Sequence, residues 1–109
     1  MMKALITGAS SGIGRDMARY LAKQNFSLFL VARDKENLLQ LKKELSVPVE
    51  IFIYDLTIKE NVFELYEQVK NETIDILINN AGFGLFGEFS ETDLNRELEM
   101  INLNVVAYH

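Results

Sequence analysis

Four short apolar runs, at residues 4–6, 28–31, 51–54 and 76–78, limit the possible folds of this chain more than any other feature. None of them alternates apolar with polar residues. A strand wetted on one side alternates; a strand covered on both sides does not, and double cover belongs to a parallel sheet between helices. Segments of helical period separate the runs. Ile13, Met17 and Leu21 form one row, Leu38, Leu41 and Leu45 a second, and Val62, Leu65, Tyr66 and Val69 a third. A fourth stripe passes through Leu94, Leu98, Ile101 and Val105. The expected order is β-α-β-α-β-α-β-α, an α/β chain with right-handed crossovers and helices on both faces of a doubly wound parallel sheet.

The helix starts carry signals of their own. Asp34 is placed to cap the second helix, Thr57-Ile58-Lys59-Glu60 fits a capping box, and Ser90-Glu91-Thr92-Asp93 fits its aspartate variant. Pro48, the one proline, falls in the link before the third strand. No C-cap glycine follows the fourth stripe, which runs through Asn104-Val105-Val106-Ala107-Tyr108-His109. Residues 1–109 are therefore expected to be one domain cut within its fourth helix, with the fourth strand left as an exposed sheet edge.

Composition excludes several classes. The chain has 109 residues and a net charge of −5 with the two signs interspersed, which disfavours nucleic acid as a partner. It has no cysteine and a single histidine, so no disulfide framework, thiolate metal site or multi-histidine metal site is expected. The apolar runs are too short to cross a bilayer, and no apolar leader precedes the first strand, so a cytoplasmic location without membrane partners is expected.

The chemistry is concentrated in Thr7-Gly8-Ala9-Ser10-Ser11-Gly12-Ile13-Gly14, where an apolar strand passes through a glycine-rich turn into a helix. Glycines let backbone approach phosphate oxygens, the helix N-terminus offers unpaired N–H groups and a positive dipole end, and Ser10 and Ser11 add hydroxyls. The spacing Gly8-x-x-x-Gly12-x-Gly14 is longer than the common dinucleotide fingerprint. This segment resembles the cofactor loop of the short-chain dehydrogenase/reductase family, and Asn79-Asn80-Ala81-Gly82 after the fourth strand resembles that family's second motif. The likeness spans essentially the whole chain, as the family's N-terminal, Rossmann-like half.

The resemblance implies a set of cofactor contacts. Gly8, Ser10, Ser11, Gly12, Ile13 and Gly14 would hold the pyrophosphate and adenosine ribose. Asp55 and Leu56 would form the adenine pocket, and Asn80, Ala81 and Gly82 would line the ribose, while Asn79 ties strands together. Arg33, at the end of the second strand, suits the 2′-phosphate of NADP, where an acidic residue would suit NAD; NADP is therefore expected over NAD. Asn104 matches the family's catalytic asparagine. The family's catalytic serine and Tyr-x-x-x-Lys pair are expected further along than residue 109. Tyr66-Glu67-Gln68-Val69-Lys70 has the spacing but precedes the second motif and uses Tyr66 in an apolar stripe.

The implied activity is hydride transfer between a nicotinamide and a small-molecule carbonyl or secondary alcohol, in a homo-oligomer as the full-length protein, with 1–109 inactive alone. A non-enzymatic NAD(P)-binding sensor is the alternative. A methyl-donor-binding domain is disfavoured by Arg33 and by Asn79-Asn80-Ala81-Gly82. Phe83-Gly84-Leu85-Phe86-Gly87-Glu88-Phe89 fits either an apolar substrate pocket or a loop packed on its own helix.

Overall fold

A computed structural model of the chain describes residues 1–80 and the backbone of Asn104–Ala107. The elements are β1 (Lys3–Thr7), α1 (Gly12–Lys23), β2 (Ser27–Ala32), α2 (Lys35–Glu44), β3 (Val49–Ile53), α3 (Lys59–Val69), β4 (Ile76–Asn79) and β5 (Asn104–Ala107). The strands form one sheet in the order β3-β2-β1-β4-β5, and every pairing is parallel. The fold is Rossmann-like.

The pleat explains why the strand sequences do not alternate. Successive side chains point to opposite faces, and each face has its own helix layer. Ala4, Ile6, Leu28, Leu30, Ala32, Val49 and Ile78 meet Ala18 and Leu21 of α1 and Leu38 and Leu41 of α2. Leu5, Phe29, Val31, Phe52 and Leu77 meet Val62, Leu65 and Val69 of α3 on the other side, where Phe29 and Phe52 pack edge to face at 5.7 Å. All six residues of β2 are buried. The stripe through Ile13 holds less well: Leu21 is buried and Met17 half-buried, but Ile13 is 53% exposed, and Gly14 and Ala18 make the inner contact.

Chain reversals are set by local polar bonds. After α1, Asn25 adopts φ 67°, Phe26 N donates to the Leu21 carbonyl and Asn25 N to that of Ala22, the left-handed C-terminal motif for which asparagine is the best substitute for glycine. Asp34 caps α2 as expected, its carboxylate accepting from Asn37 N. The capping box at Thr57 does not form. Asp55 takes the Thr57 N–H instead, Ile58 becomes the N-cap without a side-chain bond, and α3 begins at Lys59.

The C-terminal expectation is corrected. Asn104, Val105, Val106 and Ala107 form β5, paired with Ile76, Leu77, Ile78 and Asn79, so these four residues are strand rather than helix and β4 is not a bare edge. Two adjacent β-branched valines suit a strand, and the open side of β4 supplies the hydrogen-bonding partners. The stripe at Leu94, Leu98 and Ile101, the capping signal at Ser90 and the loop at Phe83–Phe89 lie outside the described residues.

Candidate functional site

The carboxyl ends of β1, β2 and β3 are level, with Thr7 opposite Val31 and Val31 opposite Phe52, and the loops that leave them enclose an open groove of about 370 Å³. Its floor is the glycine turn after β1. Gly8 has φ 63° and Gly12 φ 56°, a region that L side chains rarely adopt. Ala9, buried, ties the turn to β2 by donating its N–H to the Val31 carbonyl at 3.2 Å. Gly14 serves closeness rather than torsion: a Cβ there would lie 2.1 Å from the Gly8 carbonyl oxygen. Asn80, the residue after β4, donates from Nδ2 to that same oxygen at 3.2 Å. One residue earlier, the Thr7 hydroxyl donates to Asn79 Oδ1 at 2.8 Å in a buried bond, so Asn79 ties β1 to β4 as expected.

Above this floor the start of α1 is left open. Ser11 is the N-cap in extended conformation, its side chain makes no capping bond, and the first turn holds no acidic residue. The first N–H groups of a helix lack intrahelical partners, and here nothing anionic in the first turn competes for them. A Cβ on Gly12 would meet nothing within 4 Å. The hydroxyl-bearing residues Ser10 and Ser11 line the groove with Gly8.

The far wall carries the charge. Arg33 is exposed and lines the groove, as do Asp34, Asp55 and the buried Leu56. Asp55 Oδ1 accepts from the Thr57 hydroxyl at 2.6 Å and from Thr57 N at 3.0 Å. These bonds, the hydroxyl's first, hold the Asp55 carboxyl below the ordinary aspartate value, with a smaller contribution from the charge of Arg33. Among the described residues no hydrogen bond falls on its Oδ2. The chain thus presents cationic, hydroxyl and carboxylate groups around a glycine floor at the carboxyl edge of a parallel sheet, where such folds bind ligands.

Of the residues read from the sequence, Gly8, Ser10, Ser11, Arg33, Asp55 and Leu56 meet at the groove. Gly12, Ile13, Gly14 and Asn80 do not line it; Gly14 and Asn80 shape the turn beneath it. Ala81 and Gly82 lie outside the described residues. Asn104 opens β5 opposite Ile76, three residues before Ala107, which stands opposite Asn79. At ~3.3 Å per residue its backbone is about 10 Å from the edge that carries the groove. Five lining residues were not among those read as site residues: Val31, Ala32, Asp34, Asn37 and Tyr54. Tyr54 read as the last residue of an apolar run, yet its hydroxyl accepts from Gln68 Nε2 of α3. Asn37 had a readable signal, its place three residues after the Asp34 cap. Among the described residues no group of three or more His, Asp or Glu side chains could hold a metal, and no helix is long and apolar enough to cross a membrane.

The family model for short chain dehydrogenase matches residues 2–109. The chain belongs to the short-chain dehydrogenase/reductase family. An uncharacterized oxidoreductase of Staphylococcus saprophyticus is 40% identical over 108 residues, covering 94% of this chain and 46% of the relative. The alcohol dehydrogenase of the archaeon Thermococcus sibiricus, solved with 5-hydroxy-NADP, superposes with a TM-score of 0.71 at 37% identity, over 77% of this chain and 38% of that one. The L-sorbose reductase of Gluconobacter frateurii, solved with NADPH and L-sorbose, gives 0.67 at 38% identity over 75% and 34%. The chain spans less than half the length of these relatives. The names of all three describe oxidoreductases.

Proposed function

We propose that this chain supplies the cofactor-binding part of an NADP-dependent oxidoreductase that moves hydride between the nicotinamide and a small-molecule carbonyl or secondary alcohol. The observation that carries the reading is the single groove shared by Gly8, Ser10, Ser11, Arg33, Asp55 and Leu56 beneath the uncapped start of α1. The fit is chemical: a diphosphate needs N–H and hydroxyl donors without a facing carboxylate, and the glycine turn offers them. The Arg33 guanidinium matches a 2′-phosphate through paired N–H donors. Asp55 keeps one carboxylate oxygen for an exocyclic amine, and Leu56 gives an apolar surface for the base. Gly12, Ile13, Gly14, Asn80, Ala81 and Gly82 complete the proposed contact set around the pyrophosphate and ribose.

When bound, the nicotinamide supplies or accepts the hydride; the protein binds and orients it. None of the proton-handling pair expected of the family is among the matched motifs. Asn104, the match to the family's catalytic asparagine, remains the one member of the catalytic set proposed here, and it opens β5 opposite Ile76. Residues 1–109 alone are therefore expected to bind nucleotide without turnover. Two of the structural relatives were solved with NADP-type ligands, which supports the cofactor assignment. The reading further places the complete enzyme in the cytoplasm as a homo-oligomer.

Calorimetric titration with NADP(H) and NAD(H), on the unaltered protein and on Arg33→Ala, tests the assignment. Preference for NADP(H) is expected, falling roughly tenfold to a hundredfold when the charged hydrogen bonds of Arg33 are lost. Equal binding of both nucleotides by the unaltered protein overturns the NADP assignment.

A further inference from the structure

We infer that Asn37 sets the cofactor preference by holding the Asp34 carboxylate away from a ribose 2′-hydroxyl, an inference that rests on the NADP reading above. Asp34 follows Arg33 at the end of β2 and lines the same groove. A carboxylate there is the natural acceptor for a ribose hydroxyl, and it opposes a 2′-phosphate by charge. In this chain both oxygens are engaged by one residue: Oδ1 accepts from Asn37 N at 3.1 Å and Oδ2 from Asn37 Nδ2 at 2.9 Å.

The second bond is more than the helix needs. An N-cap does its work by accepting one backbone N–H from the first turn, and the Oδ1 bond already does so. Position N3 of a helix favours Glu or Gln, which reach back to the cap backbone, and asparagine is a weak helix former. The Asn37 amide therefore has little to add to α2 beyond fixing Oδ2. Asp55, across the groove, shows the contrast. Both of its Thr57 bonds fall on Oδ1, and none falls on Oδ2 among the described residues. One carboxylate of the groove is pinned in orientation at both oxygens, turned to the start of α2, and the other is held at one. That asymmetry leaves Arg33 as the group that reads the 2′ position.

The test is a double-mutant cycle in the complete protein, titrated with NADP+ and NAD+. Asn37→Ala keeps the backbone donor, and with it the cap, while freeing Oδ2. The ratio of NADP+ to NAD+ affinity is expected to fall roughly tenfold, chiefly through tighter NAD+ binding. Asp34→Ser keeps a capping oxygen without the carboxylate, and in that background Asn37→Ala is expected to leave the ratio unchanged. A merely structural role would weaken both nucleotides together. An unchanged ratio in Asn37→Ala, with Arg33→Ala still abolishing preference, overturns this inference alone. The same shift in the Asp34→Ser background overturns the route through Asp34. An unaltered protein that shows no preference overturns the NADP reading and this inference with it.

Discussion

Gly14→Ala separates steric closeness from helix propensity, because the two predict opposite signs. Alanine is the better helix former by about 1 kcal/mol, so propensity alone makes the substitution stabilising. The structure sets the added Cβ 2.1 Å from the Gly8 carbonyl oxygen and 2.8 Å from Asn80 Nδ2. An ordinary carbon–oxygen contact is about 3.3 Å, so the start of α1 must retreat from the turn by roughly 1.2 Å. The obstructing atom is backbone and cannot rotate away, which puts the cost at the upper end of the overpacking range, ~3 kcal/mol. Net of propensity, a loss of about 2 kcal/mol follows, or a fall in Tm on the order of 10 °C for a domain of this size. Urea unfolding of both proteins measures it. Gly12→Ala is the control: a Cβ there has open space, but the residue sits at φ +56°. Its cost comes from torsion, so Gly12→Asn should recover part of the stability, as asparagine tolerates that region, whereas Gly14→Asn should recover none. A Gly14→Ala protein as stable as the original would refute the close approach of α1 to the Gly8 turn.

Two further outcomes are expected. Thr7→Val removes the donor to buried Asn79 Oδ1 and should cost about 1–3 kcal/mol by urea midpoint, with Thr7→Val/Asn79→Leu losing less than the single change because no buried acceptor is stranded. Thr57→Val should raise the Asp55 carboxyl toward the ordinary aspartate value, read by carboxyl-detected NMR titration. The sign follows from a depressed folded value: the Thr57 bonds add stability above the unfolded-state value, and that stability is lost as pH falls through the folded one. The variant's acid limb should therefore be shallower; an unmoved Asp55 titration would contradict the cause assigned to the shift.

The fold was legible where burial alone decides it. Residues such as Leu5 and Ile6 are adjacent, face opposite helix layers and are both apolar, so a continuous apolar run is the trace of a strand covered twice. Legibility failed where two local rules competed. Thr57 and Glu60 fit a capping box, but Asp55 lies two residues before Thr57 and claims its N–H first. Val105 extends a helical row through Leu94, Leu98 and Ile101, and equally begins a β-branched pair. Four residues are too few for periodicity to choose, and the deciding partner, the open side of β4, is far away in sequence.

At the candidate site, a motif read along the chain mixes residues that touch a ligand with residues that make room for it. Within one glycine segment, Gly8, Ser10 and Ser11 face the groove while Gly14 only lets α1 come close. Within the second motif, Asn79 bonds Thr7 and Asn80 bonds the Gly8 carbonyl. Spacing cannot make that division, because both duties require the same small or amide-bearing residues. Topology makes it. The strand order turns at β1, with β2 and β3 on one side and β4 on the other, so the turn after β1 is braced by β2 through Ala9 and by β4 through Asn80. A glycine turn after β3, the strand at the edge of the sheet, would have lacked one of the two braces.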